Sequence, residues 1–316
     1  MSGSRNRRFH TRPSPGDFGW RRRRFVAPLL TVAVVALPAG RAVLPAEAAA
    51  SGATALLSVA SDGTHGDAGS YDPSLSADGS TVAFTSLATN LAARGSTPTL
   101  NVFVHVQPGQ TVRVSQAPDG TAGDGDSTSP ALSGDGSAVA FASFAANLVG
   151  QDSNGASDVF VHDRASGRTS RVSVASDGAQ GNQDSFSPSI SANGRFVAFA
   201  SEATALVSED RNRAEDVFVH DRRTGRTSRM SVSSDGKPAN GDSFAPSISA
   251  DGRFVAFAST ATNLVRADTN GATDIFVHDR DTGRTTRVSV ASDGAQAGGD
   301  VFSPSISGDG QLVAFT

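Results

Sequence analysis

The chain has 316 residues, a formal net charge of −4 at pH 7 and no cysteine. It therefore has no disulfide framework and no lipid-modified cysteine. Its charge is divided unevenly. The first fifty residues hold nine arginines and two acids (Asp17, Glu47), which leaves 18 basic and 29 acidic groups, a net of −11, for residues 51–316. An acidic body of that kind repels nucleic acid phosphates and anionic lipid headgroups, and no nucleic-acid partner is expected.

In chain order, Arg5 to Arg24 make a basic start, Phe25–Leu37 an apolar stretch interrupted by Pro28, and Pro45–Ala50 a run of small residues. This is the three-part layout of a secretory signal peptide over residues 1–50, with export as its consequence. The run Arg22-Arg23-Arg24-Phe25-Val26 also fits a twin-arginine signal. The apolar stretch is shorter than the roughly 20 residues of a membrane span, so no span is expected after cleavage; an uncleaved anchor is the alternative.

Residues 51–316 are repetitive. Segments spaced 57 to 58 residues apart begin at Pro73, Pro130, Pro188 and Pro246, and a fifth starts at Pro304. In the third, Pro188–Ser191 is followed by Ala192-Asn193-Gly194, and Asp-Gly takes the place of Asn-Gly in the sister repeats (Asp78-Gly79, Asp135-Gly136, Asp251-Gly252, Asp309-Gly310). These dipeptides predict two-residue type I′ hairpin turns, in which both central residues need positive φ. Arg195–Ser201 then reads as a strand apolar on both faces, Asp216–Asp221 as a third strand and Thr227–Val232 as an alternating outer strand. The arginines recurring on that outer strand (Arg113, Arg171, Arg229, Arg287) are expected to guard an edge against aggregation. Four-stranded units at this period, none able to bury its own faces, predict an all-β chain of β-propeller blades.

The stretches PSLSADGSTVAF, PALSGDGSAVAF, PSISANGRFVAF, PSISADGRFVAF and PSISGDGQLVAF resemble the WD40-like repeat of TolB-type propellers. The resemblance covers residues 54–316. It departs from the family where Leu or Ile precedes the motif serine in place of Trp. It implies an exported propeller used for binding, in some members joined to a hydrolase. Ala55–Gly63 matches a fourth strand, and the fifth repeat supplies two inner strands. Two arrangements fit: a five-bladed ring closed by a blade shared between the ends, or an open arc of a larger propeller.

The loops between second and third strands carry Asp152-x-Asn154-Gly155-x-x-Asp158, Asp210-x-Asn212-Arg213-x-x-Asp216 and Asp268-x-Asn270-Gly271-x-x-Asp274. Oxygen donors at positions 1, 3 and 7 can curl around Ca²⁺, and the pattern resembles integrin-type calcium loops without their acid at position 5. The same residues equally make plain turns, since Asp and Asn bond their own backbone. His105, His162, His220 and His278 recur on third strands and sit on different blades. They predict structural hydrogen bonds, to a neighbouring turn or the adjoining Asp163, Asp221 or Asp279, and not a metal cluster.

No nucleophile elbow, zinc-protease motif or phosphate loop occurs. The carboxylates repeat with the fold, and no break in the repetition marks a catalytic centre. The expected role is an exported, non-catalytic scaffold that binds a protein or peptide through its loop face, stabilised by calcium if the Asp-x-Asn loops hold it. The alternative is the propeller portion of a secreted hydrolase or lyase.

Overall fold

The computed structural model describes residues 54–92, 99–208 and 210–316. The signal-like segment lies outside them. The chain divides into two units at Ala53/Thr54, and the second holds all the described structure.

Four antiparallel sheets of four strands follow one another. The first holds β1 (Ser70–Leu75), β2 (Thr81–Ser86), β3 (Asn101–Val106) and β4 (Gln110–Arg113). The second holds β5 (Ser127–Leu132), β6 (Ala138–Ser143), β7 (Asp158–Asp163) and β8 (Arg168–Arg171). The third holds β9 (Ser185–Ile190), β10 (Phe196–Ser201), β11 (Asp216–Asp221) and β12 (Arg226–Arg229). The fourth holds β13 (Ser243–Ile248), β14 (Phe254–Ser259), β15 (Asp274–Asp279) and β16 (Arg284–Arg287). A two-stranded piece follows, β17 (Ser305–Ile306) and β18 (Val313–Ala314). Each complete sheet is a meander, first strand against second, second against third, third against fourth. First strands of successive sheets neighbour one another, β1 with β5, β5 with β9 and β9 with β13. These are blades of a β-propeller.

The core lies between blades. Val159, Val161 and Val172 of the second blade pack against Ile190, Val197, Phe199 and Phe218 of the third, and the next seam repeats the set. Within each blade one phenylalanine of the second strand stacks on one of the third, as Phe199 does on Phe218 with centroids 5.9 Å apart. Residues of the second and third strands are buried on both faces, which is why these strands lack polar alternation.

Two expectations need correction. The hairpin turns are not type I′: Gly194 has φ +69°, but neither Asn193 nor its Asp counterparts are in the left-handed region. The acid acts through its side chain. Asp78 Oδ1 accepts from Ser76 Oγ at 2.6 Å and the Ser80 amide at 3.0 Å, while Ser76 Oγ accepts from the Thr81 amide. That closed network explains the Ser-x-Asp-Gly motif. The segment 55–60 is also not a full strand. It makes a single bridge, Val59 to His65, and among the described residues no backbone hydrogen bond joins it to β17 or β18.

Candidate functional site

In an antiparallel meander the loops leading into first strands and those joining second to third strands share one face. Hydrogen bonds tie these loops together between blades. The Ser157 amide donates to Asp184 Oδ1 of the next blade at 2.7 Å, and Glu215 and Thr273 donate to Asp242 and Asp300 in the same way. Among the described residues of this face, sixteen acids stand against four bases of the loops (Arg211, Arg213, Lys237, Arg266) and three arginines that reach in from the fourth strands (Arg171, Arg229, Arg287). The opposite face, made of the tight turns, matches its acids with arginines such as Arg195 on Asp221 and Arg253 on Asp279.

The Asp-x-Asn loops lie on the acidic face, and each set of three predicted residues is brought together. The centre of each set is an arginine. Arg171 Nη1 contacts Asp152 at 3.1 Å and Asp158 at 2.9 Å; Arg229 bridges Asp210 and Asp216, and Arg287 bridges Asp268 and Asp274. Ser173 Oγ donates to the other oxygen of Asp158 at 2.5 Å, a bond repeated by Ser231 and Ser289. Asn154, Asn212 and Asn270 turn their amide N–H₂ toward Asp158, Asp216 and Asp274, and their Oδ1 accepts a backbone N–H instead. Arg171, Arg229 and Arg287 are thus buried counter-ions, not edge guards; the sequence does not show this because partners 13 and 19 residues apart are joined only by the hairpin.

This donor set does not fit calcium. A guanidinium already lies between the carboxylates, the asparagine oxygen faces away, and too few free oxygens remain for six to eight ligands. Among the described residues no group of three or more His, Cys, Asp or Glu side chains is arranged to hold a metal. Burial pushes the carboxyls of Asp152, Asp216 and Asp268 above the ordinary range, with the facing arginine opposing it. Titration of the metal-stripped protein with Ca²⁺ is expected to leave its melting temperature unchanged; a rise specific to Ca²⁺ and lost in Asp152→Ala with Asp268→Ala would establish the loops as ion sites.

The histidines are structural, but their partner is the fourth strand. Nδ1 of His105, His220 and His278 lies 2.8–2.9 Å from Oγ1 of Thr111, Thr227 and Thr285. Each threonine gives its own proton to a carbonyl of the preceding segment (Val59, Val174, Val232), so Nδ1–H must donate. His162 lies 3.1 Å from Thr169 in the same manner. Burial holds all four below the ordinary histidine value of 6.5. They fold neutral, the unfolded chain takes up more protons, and stability is expected to fall as pH drops below 6.5. Urea midpoints measured from pH 8 to pH 5 check this, and a flat profile contradicts it.

One acid breaks the repetition. Glu215 stands where the second and fourth blades have Ser157 and Thr273, at the seam between the third and fourth blades. Its backbone is latched on both sides, through the Asp242 bond and from the Ser243 amide at 2.7 Å, while Oε1 is buried without a hydrogen bond. Burial first, then Asp242, Glu202 and Asp216, push its carboxyl up to about 8. The folded state therefore holds this proton more tightly, and its contribution to stability is lost as pH rises from 4.5 through about 8. Glu215→Gln is expected to flatten that alkaline decline; an unchanged decline contradicts the assignment. The substitution is visible when repeats are aligned, but its burial is not.

These blades define a β-propeller. No protein-family profile matches the chain, and no curated protein matches it. Solved structures similar to it include TolB from Acinetobacter baumannii, 16% identical with a TM-score of 0.45 over 78% of this chain and 48% of that one. They also include a TolB described as putative from Agrobacterium tumefaciens, 15% identical with a TM-score of 0.46 over 78% of this chain and 74% of that one. A third is the uncomplexed acylaminoacyl peptidase of Pyrococcus horikoshii, 14% identical with a TM-score of 0.45 over 78% of this chain and 35% of that one. The chain spans about half the length of the Acinetobacter protein. The propeller assignment rests on the blades themselves.

Proposed function

We propose that this chain is an exported, non-catalytic scaffold that binds a protein or peptide through its acidic loop face. The observation that supports the reading most is the use made of the repeated polar groups. The Asp-x-Asn carboxylates are closed by arginine and serine, the latch aspartates by amides of the neighbouring blade, and the histidines by threonines. Such groups are committed to the fold and have no lone pair arranged for a reaction. Loops held this firmly on a rigid support suit recognition. The hydrolase reading has in its favour the peptidase propellers among similar structures, although this chain spans 35% of the peptidase from Pyrococcus. The signal-like layout of residues 1–50 supports export.

The test is selection of a random peptide display library on the full chain, followed by hydrogen exchange of the chain with a selected peptide. Protection of amides in the loop-face segments 87–92, 144–157, 175–184 and 202–208 is the expected footprint. Protection confined to the turns at 191–195 and 221–226, or no selectable binder, contradicts the reading.

A further inference from the structure

The position after each second strand is the same backbone site in all four blades, yet its side chain differs. It holds Leu87, Phe144, Glu202 and Thr260. Each is fixed by one hydrogen bond from its own amide to the carbonyl at the head of the first strand: Gly69 at 3.1 Å, Asp126 at 2.9 Å, Asp184 at 3.0 Å and Asp242 at 2.9 Å. Its neighbours do not vary in kind. A serine precedes it (Ser86, Ser143, Ser201, Ser259) and a buried alanine follows it (Ala88, Ala145, Ala203, Ala261). Packing therefore sets the flanks and leaves the middle residue to solvent.

The exposed side chains are ordered around the face. Leu87 is 38% exposed and Phe144 60% exposed on the first and second blades. Tyr71, 54% exposed, brings its hydroxyl close against Gly69, whose carbonyl holds Leu87. On the third blade the same site carries Glu202, whose charge is felt by Glu215 alongside that of Asp242. One arc thus runs from apolar to acidic across adjoining blades. A single exposed apolar residue needs no explanation, but three exposed on adjoining blades of one acidic face do. The described loop cations of this face sit elsewhere, with Arg211 and Arg213 in the loop tip of the third blade, Lys237 on Asp235 and Arg266 in the fourth blade, while Arg171, Arg229 and Arg287 are taken up by the Asp-x-Asn carboxylates.

We infer that this arc docks an extended peptide segment that places an aromatic or aliphatic side chain on Leu87, Tyr71 and Phe144 and a lysine or arginine on Glu202. The inference rests on the scaffold reading and names the chemistry of its partner. Charge complementarity selects the basic residue, since the acids around Glu202 would repel an acidic one and leave an uncharged one unrewarded. The apolar anchor supplies affinity, and the ion pair at its rim supplies register.

The experiment is the sequence content of peptides selected on the full chain, with binding then measured to Phe144→Ser, Glu202→Lys and, as a control, Thr260→Ser. Both test residues are exposed, so the variants keep the wild-type melting temperature. The expected result is enrichment of an apolar residue beside Lys or Arg, binding at least about tenfold weaker in Phe144→Ser, and a loss in Glu202→Lys that shrinks in high salt. Loop-face binders that are acidic, or indifferent to both substitutions, overturn the inference and leave the scaffold reading standing. Absence of any loop-face binder overturns both. Self-association of the chain that Phe144→Ser abolishes would make a second copy the occupant and overturn the peptide assignment.

Discussion

Replacing Asp158 by Ala is expected to destabilise the chain by about 3–5 kcal/mol, the cost of leaving a buried charge without its partner. Asp158 is fully buried, and three groups depend on it: Arg171 at 2.9 Å, Asn154 Nδ2 at 3.0 Å and Ser173 Oγ at 2.5 Å. Losing the carboxylate strands the guanidinium beside Asp152 alone, in a site with almost no solvent. Ser173 Oγ also accepts from the Val159 amide, so the start of β7 loosens as well. The second-site change Arg171→Met should recover part of the loss, because it removes the stranded guanidinium and leaves only Asp152, whose carboxyl burial already favours in its protonated form. Chemical denaturation of the single and double variants checks this. A loss below about 1 kcal/mol for Asp158→Ala, the range of an exposed ion pair, contradicts the buried-cluster account.

Phe199→Ala is expected to cost about 3–5 kcal/mol for a different reason. Phe199 is fully buried, stacks on Phe218 and belongs to the seam cluster formed with Val159, Val161 and Val172 of the preceding blade. Truncation opens a cavity that two blades share, and β strands pinned on both faces collapse into it poorly. Phe199→Leu, which keeps most of the volume, should cost much less. The two are separated by denaturation midpoints; equal small losses for both would mean that the seam is not the core.

Much of the fold was legible from residue spacing because each blade repeats the same solution. Pro-x-x-Ser-x-Asp-Gly marks the first turn, the apolar run that follows marks a strand covered on both sides, and the period marks stacking. The turn type is not legible in the sequence because Asp-Gly and Asn-Gly have two uses, and only the backbone shows that the acid serves through its side chain. The calcium alternative had the same origin. Asp152, Asn154 and Asp158 are the right residues at the right spacing, but Arg171 returns on a later strand and fills the place of the cation. Their oxygen count is readable from sequence; which way Asn154 turns its amide is not. The arc from Leu87 to Glu202 is hidden for the opposite reason: it lies in the least repetitive position of each repeat, so the period that marks the blades does not mark it.

The repeated polar residues hold the blades, and in the proposed reading those that vary at a fixed backbone position meet the partner. Melting temperatures test this division most directly. Asp274→Ala, a repeated residue bound by Arg287, Ser289 and Asn270, is expected to melt at least about 6 °C below the parent. The pair Phe144→Ser with Glu202→Lys is expected to melt within about a degree of the parent, as surface changes away from packed features do. The opposite pattern, a stable Asp274→Ala protein and a destabilised Phe144→Ser, Glu202→Lys protein, would contradict it.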